Sequence, residues 1–263
     1  MSGNDLAAQE HPLSPRIIAR LDIKAPNLVK GIQMEGLRVM GDPAEHASRY
    51  YEHGVDEILY VDIVASLYER NSLVDLVART AAEVFVPLTV GGGIRTVDDI
   101  YKLLRAGADK VAINTAAVRQ PQLLAEASRV FGAQCIVLSV EAKRLSQGNK
   151  WEVYTDNGRE KTGLDVVDWV KQCVDLGAGE ILLTSVDKEG TRKGFDRELI
   201  AAIGPKVGVP VIACGGAGSV DHVAEALAAG ADAVAVAGLL HYKVETVDSL
   251  KRGLRQRGIE VRL

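Results

Sequence analysis

The feature that most constrains this chain is a long-range internal repeat. Gly92 recurs as Gly215, and Gly107-Ala108-Asp109 recurs as Gly230-Ala231-Asp232. Gly54-Val55-Asp56-Glu57-Ile58-Leu59 recurs as Gly177-Ala178-Gly179-Glu180-Ile181-Leu182. All three pairs are 123 residues apart in a chain of 263. Short periods build solenoids, whereas two copies this large build a pseudo-twofold domain. The chain therefore reads as half-units of about 16–132 and 133–263, preceded by a loose polar extension, 1–15.

Each half alternates short Val/Ile/Leu-rich runs with amphipathic segments. Strands are expected at Arg16 to Ile23, Glu57 to Val61, Pro87 to Val90, Lys110 to Ile113, Cys135 to Val140, Glu180 to Thr184, Val209 to Ala213 and Ala233 to Ala237. Helices are expected from Pro43, Ser72, Val97, Pro121, Asp165, Arg197, Val220 and Val247. Continuous apolar runs fit parallel strands buried on both faces, and eight strand–helix units close into a barrel. The fold class is thus a (β/α)₈ barrel, 16–263, built from two duplicated half-barrels. A doubly wound open sheet competes, but two equal halves of four units close naturally into a ring. Lys24 to Asp42 reads as a long loop with Gly31 and Gly41, of the functional or mobile kind. Lys150 to Lys161 reads as a small hairpin around Asp156-Asn157-Gly158.

Composition excludes several classes. A net charge of −4 offers no electrostatic footprint for nucleic acid. No apolar run reaches the roughly 20 residues of a membrane span. Three cysteines without ligand spacing and five dispersed histidines imply neither a metal nor an organic cofactor. A cytoplasmic protein is the expectation.

Active sites of such barrels lie past the C-terminal ends of the strands. Those positions hold Asp22, Asp62, Ser66, Gly91 to Gly93, Asn114, Thr115, Glu141, Glu189, Gly215, Gly216, Ala237 and Gly238. Asp22 ends the first strand and Glu141 the fifth, on opposite sides of an eight-strand ring. Two facing carboxylates suit general acid and base work; alternatively, each pairs with a neighbouring lysine, Lys24 or Lys143. Glycines past a strand let backbone approach an anion closely. One phosphate cradle combines Gly93 with Asn114 and Thr115. The second combines Gly216 with Gly190, Ala237 and Gly238, so a molecule with a phosphate at each end would bridge the mouth. Arg16, Glu57, Lys110 and Glu180 begin their strands and converge at the opposite end. They are either a structural cluster or a gate for something small moving up the axis.

These residues carry a resemblance. Arg16-Ile-Ile-Ala-Arg-Leu-Asp22-Ile-Lys24, Val29-Lys30-Gly31, Thr89-Val-Gly-Gly-Gly-Ile94, Ile113-Asn-Thr-Ala-Ala117, Gly177-Ala-Gly-Glu-Ile-Leu-Leu-Thr-Ser185 and Gly215-Gly-Ala-Gly218 are similar to motifs of the cyclase subunit of imidazole glycerol phosphate synthase, from histidine biosynthesis. The resemblance implies a heterodimer with a glutaminase subunit docked on the bottom face. Ammonia would pass through the gate of Arg16, Glu57, Lys110 and Glu180. It implies a substrate phosphorylated at both ends, with Lys30 holding a phosphate and Asp22 and Glu141 as catalytic pair. The family's aspartates fall on Asp22, on Glu141 and, in the loop after the sixth strand, on Glu189; its strand-one Cys falls on Arg20. A kept gate around an edited centre also resembles a paralogue that supplies ammonia for amidating a sugar in surface-polysaccharide biosynthesis. A third expectation is a barrel that only binds and activates a glutaminase.

Overall fold

The computed structural model describes residues 14–32, 35–65, 73–146 and 148–262. The expected extension before Ser14, and the expected positions Ser66 and Ser72, lie outside the described residues.

The strands are β1 (Arg16–Lys24), β2 (Asn27–Ile32), β3 (Glu35–Gly41), β4 (Glu57–Asp62), β5 (Leu88–Gly91), β6 (Lys110–Ile113), β7 (Ile136–Arg144), β8 (Trp151–Thr155), β9 (Glu160–Asp165), β10 (Glu180–Ser185), β11 (Val211–Cys214) and β12 (Ala233–Val236). The helices are α1 (Pro43–Glu52), α2 (Val74–Ala81), α3 (Val97–Arg105), α4 (Thr115–Arg119), α5 (Gln122–Phe131), α6 (Val166–Asp175), α7 (Arg197–Ile203), α8 (Val220–Ala228), α9 (Gly238–His241) and α10 (Val247–Gln256). Among the described residues, eight parallel strands close in the order β1-β4-β5-β6-β7-β10-β11-β12, with β12 returning to β1. This is the (β/α)₈ barrel expected from the alternation.

Side-chain direction along β1 explains the two cores. Ile17, Ala19, Leu21 and Ile23 point outward and are fully buried against the helix ring. Ile18 points inward and meets Leu59, Val137, Leu182 and Ile212 along the axis. A period of two puts Arg16, Arg20 and Asp22 on that same inward face.

The two halves share backbone devices. Gly92 and Gly215 have φ of 97° and 96°. A Cβ would stand 2.3 Å from the Asp62 carbonyl oxygen at Gly92 and 2.8 Å from that of Ser185 at Gly215. Asp109 and Asp232 each accept a 2.8 Å hydrogen bond from the N–H that opens the neighbouring strand, Leu88 and Val211 respectively. Thr96 and Ser219 each cap a helix by accepting from the N–H three residues on.

One expectation needs correction. The stretch from Lys24 to Asp42 is an antiparallel extension, not an open loop. Asp22, Ile23 and Lys24 pair with Val29, Leu28 and Asn27, and β3 pairs with β2. β1 runs past the barrel mouth and leaves backbone groups that need partners. β2 supplies them while burying Leu28 and Val29. Glycine content alone pointed to a loop. The 150–161 hairpin is present and extends to Asp165. The short helices α4 and α9, directly after β6 and β12, were not anticipated.

Candidate functional site

At the bottom of the barrel the four charged strand starts form one closed ring. Arg16 donates to Glu57 at 2.6 Å and to Glu180 at 2.5 Å. Lys110 lies 3.2 Å from Glu57 and 2.8 Å from Glu180. Each carboxylate is thus shared by both cations, and Glu57 and Glu180 are equivalent positions of the repeat. All four expected residues meet here, and the ring closes the lower end of the axis. Ile18, Leu59, Val137 and Leu182 form an apolar layer above it.

At the top, the first half presents a cavity of about 260 Å³ lined by Gly91 to Gly93, Asn114, Thr115 and Glu141. Arg95, Arg119 and Asn157 join the same wall. The β8–β9 turn folds over this pocket. The Asn114 side-chain amide donates to the Tyr154 carbonyl at 3.2 Å, and the Asp156 N–H donates to the Thr115 hydroxyl at 3.4 Å. Asp156 and Asn157 have φ of 52° and 61°, a conformation these residue types tolerate best among those with a side chain. The turn thereby brings the Gly158 N–H to the Glu141 carboxylate at 2.8 Å.

The second half presents a larger cavity of about 660 Å³, lined by Gly190, Gly215, Gly216, Ala237 and Gly238. Here too close backbone approach demands glycine: a Cβ on Gly216 would lie 2.1 Å from the Gly194 carbonyl oxygen. Ala237 has φ −126° and ψ −82°, nearly those of its equivalent Asn114 at −121° and −86°. The backbone repeats and the side chains do not. This wall is cationic, with Lys30, Arg38 and Arg192, the last stacked 4.3 Å from the Tyr242 ring.

The two carboxylates are in unlike surroundings. Asp22 is buried, with one oxygen 2.8 Å from Arg20 Nε and the other 3.1 Å from Lys30 Nζ. Burial alone would raise its pKa, but Arg20 and Lys30 outweigh that and hold it well below the usual carboxylate range. Lys30 also pairs with Glu189. Its own pKa is raised: burial opposes the charge, and Asp22 and Glu189 more than restore it. Glu141 has no ion pair among the described residues. Burial pushes it up to about 7, against the pull of the Gly158 N–H and of Arg20.

The structure therefore sorts the expected residues into three groups. Glu141, Gly93, Asn114 and Thr115 share the first cavity. Lys30, Glu189, Gly190, Gly216, Ala237 and Gly238 share the second. Asp22 touches Lys30 and Glu189 reaches it through that amine. The neighbouring-lysine alternative does not hold: Asp22 pairs with Arg20 and Lys30, and Lys143 lies over the Tyr154 ring. Sequence reasoning gave no part to Arg20, Arg38, Arg95, Arg119 or Arg192. Inward alternation from Arg16 could have placed Arg20 inside the barrel; no local signal marks the others.

The chain is similar to known proteins. A sequence profile of the family described as "Histidine biosynthesis protein" matches residues 16–246. A Legionella pneumophila protein named imidazole glycerol phosphate synthase subunit HisF is 61% identical over 207 residues, covering 79% of this chain and 97% of its own length. Proteins of the same name from Myxococcus xanthus and Wolinella succinogenes are 53% and 49% identical. They cover 95% and 96% of this chain and 98% and 100% of their own.

Proposed function

The chain belongs to the histidine biosynthesis protein family, and from that premise we infer that it is the cyclase subunit of imidazole glycerol phosphate synthase. The substrate is a ribulosyl aminoimidazole carboxamide ribonucleotide with a phosphate at each end. The products are imidazole glycerol phosphate and aminoimidazole carboxamide ribonucleotide. The observation that carries the reading is the pair of matching glycine cradles flanking two unlike carboxylates. The first cradle takes one phosphate between Gly93, Asn114 and Thr115. The second takes the other at Gly216, Ala237 and Gly238, with Lys30, Arg38 and Arg192 supplying positive charge.

The unequal carboxylates divide the work. Glu141 holds its proton near neutrality and is the acid. As the ammonia lone pair forms the C–N bond, the carbonyl π pair moves to oxygen, which takes the Glu141 proton. The nitrogen then carries positive charge, which the Asp22 carboxylate stabilises. A proton from that nitrogen returns to Glu141, which gives it to the new hydroxyl as that group leaves as water. Closure of the ring through the resulting imine nitrogen then expels aminoimidazole carboxamide ribonucleotide as the C–N bond to it breaks.

The ammonia comes from a glutaminase subunit on the bottom face, through the ring of Arg16, Glu57, Lys110 and Glu180. Four charges bonded to one another form a seal that partner docking opens.

Ammonium-dependent turnover of the ribulosyl substrate by the isolated chain, with Glu141→Asp alongside, tests the reading. Wild-type turnover excludes a pure scaffold. Turnover only in Glu141→Asp means an intact pocket with a displaced acid. Turnover in neither abandons the cyclase reading in favour of sugar amidation.

A further inference from the structure

Arg20 is a charge in an unlikely place. It is 4% exposed, two residues above Ile18 on the inward face of β1, where the apolar layer of the axis ends. A buried guanidinium is costly unless it is paired and hydrogen-bonded. Arg20 meets that cost from both sides of the barrel. Its Nε donates to Asp22 Oδ1 at 2.8 Å, on its own strand. Its Nη1 donates to Thr184 Oγ1 at 3.3 Å on β10, and lies 3.2 Å from Cys214 Sγ on β11. The fork therefore has two anchors. One is the reacting carboxylate; the other is a pair of neutral groups on the opposite half, which hold the guanidinium whatever Asp22 does.

The charges around each carboxylate give this fork a consequence. Asp22 faces Arg20 from β1, Lys30 from β2 and the neutral His241 from α9, whose pKa burial pushes down to about 3. Lys30 is shared with Glu189, from the loop after β10. Arg20 is thus the cation that Asp22 shares with no other carboxylate among the described ion pairs. Glu141 faces the Gly158 N–H and Asp156 from the β8–β9 turn, and Arg20 and Asp22 at longer range. Lys30 stands on the wall that receives substrate, where a phosphate would compete for it. Arg20 stands below the reacting centre, out of that competition.

We propose that Arg20 is a positioning residue for ammonia addition: anchored on the second half-barrel by Thr184 and Cys214, it keeps Asp22 ionised and aimed when substrate draws Lys30 away, which leaves proton transfer to Glu141. The kinetic part of this rests on the cyclase reading; the charge assignment does not.

The test uses the full chain as wild type, Arg20→Met and Arg20→Lys. Carboxyl-carbon NMR titration of Asp22 and Glu141 is read beside ammonium-driven turnover across pH. In Arg20→Met the Asp22 titration rises by about 1–3 units. Turnover falls on the order of 10- to 100-fold, with KM for the ribulosyl substrate within about threefold of wild type. Arg20→Lys restores the low Asp22 titration and part of the turnover. An unmoved Asp22 titration in Arg20→Met overturns the proposal, as does a loss confined to KM. Should Arg20→Met fail to fold, the double substitution Thr184→Val, Cys214→Ala keeps the cation but frees its far anchor. Turnover must then fall while Asp22 stays ionised, and undiminished turnover overturns the positioning role. Absence of turnover in both the wild type and Glu141→Asp sinks the cyclase reading instead, and the NMR arm still decides whether Arg20 sets the charge of Asp22.

Discussion

The two cradles of this barrel are alike in backbone and unlike in charge. Gly92 and Gly215 differ by a degree in φ, and Asn114 and Ala237 by a few degrees in both dihedrals. Yet the first cavity holds Glu141, which has no ion pair among the described residues, and the second is walled by Lys30, Arg38 and Arg192 around an ion-paired Glu189. The two halves share the geometry of the glycine cradle and differ in the charges around it. Two identical halves would offer two equal sites. The fused pair offers one asymmetric site, in which one carboxylate is fixed as an anion and the other holds a proton. That is the condition for acid and base roles to separate.

The largest expected effect probes the difference between the two carboxylates. Asp22→Asn leaves Arg20 and Lys30 short of negative charge in a buried site. It should cost about 3–5 kcal/mol in denaturant unfolding and on the order of 10²- to 10⁴-fold in turnover. Glu141→Gln should lose comparable turnover with little loss of stability. Equal destabilisation by the two would mean that the surroundings of the carboxylates are not as unlike as the ion pairs indicate.

Next in size is the pH response. A group that must carry a proton fails as pH rises past its pKa, so turnover should fall about tenfold per unit above about pH 7. Glu141→Gln should lack that limb. The stability sign follows from the same shift. The folded chain holds the Glu141 proton where the unfolded chain has lost it, so this contribution is complete below the ordinary glutamate range and lost as pH rises through about 7. Asp22, held low, keeps its contribution throughout that window and loses it only in strong acid. Thermal unfolding from pH 4 to 9 distinguishes the two; a flat difference between wild type and Glu141→Gln would contradict the raised Glu141.

The smallest effect probes the similarity. Gly92→Ala and Gly215→Ala should each cost about 2–3 kcal/mol, since both force a side chain into a positive-φ site against a carbonyl oxygen. The two values should agree within about 1 kcal/mol. A large disagreement in chemical denaturation would show that the halves are less equivalent than their dihedrals.

Much of this molecule was legible in the chain. The offset of 123 residues announced two halves, and the strand–helix alternation announced a closed parallel barrel. Gly92, Gly215 and Gly216 marked the cradles because a Cβ there would strike backbone, and Gly93 because its φ is 73°. Arg16, Glu57, Lys110 and Glu180 could be grouped because each begins a strand, and strand starts share one end of a barrel. The β2–β3 extension was misread because glycines at Gly31 and Gly41 look alike in a loop and a twisted hairpin, and pairing depends on what β1 leaves open.

Spacing records local geometry, because turns and strand periods are satisfied within a few residues of themselves. The barrel, its duplication and the positions of its mouth residues were determined at that level. The charge state of the centre was not. Arg20 reaches Thr184 across 164 positions of sequence, and Lys30 reaches Glu189 across 159. A carboxylate's pKa is set by burial and by the charges within a few ångströms. The cations of Asp22 lie close in sequence, Arg20 two residues and Lys30 eight away. The closed tertiary structure decided their far anchors and buried Glu141 without an ion pair to either of them, so that the first carboxylate is held ionised and the second is pushed toward its protonated form.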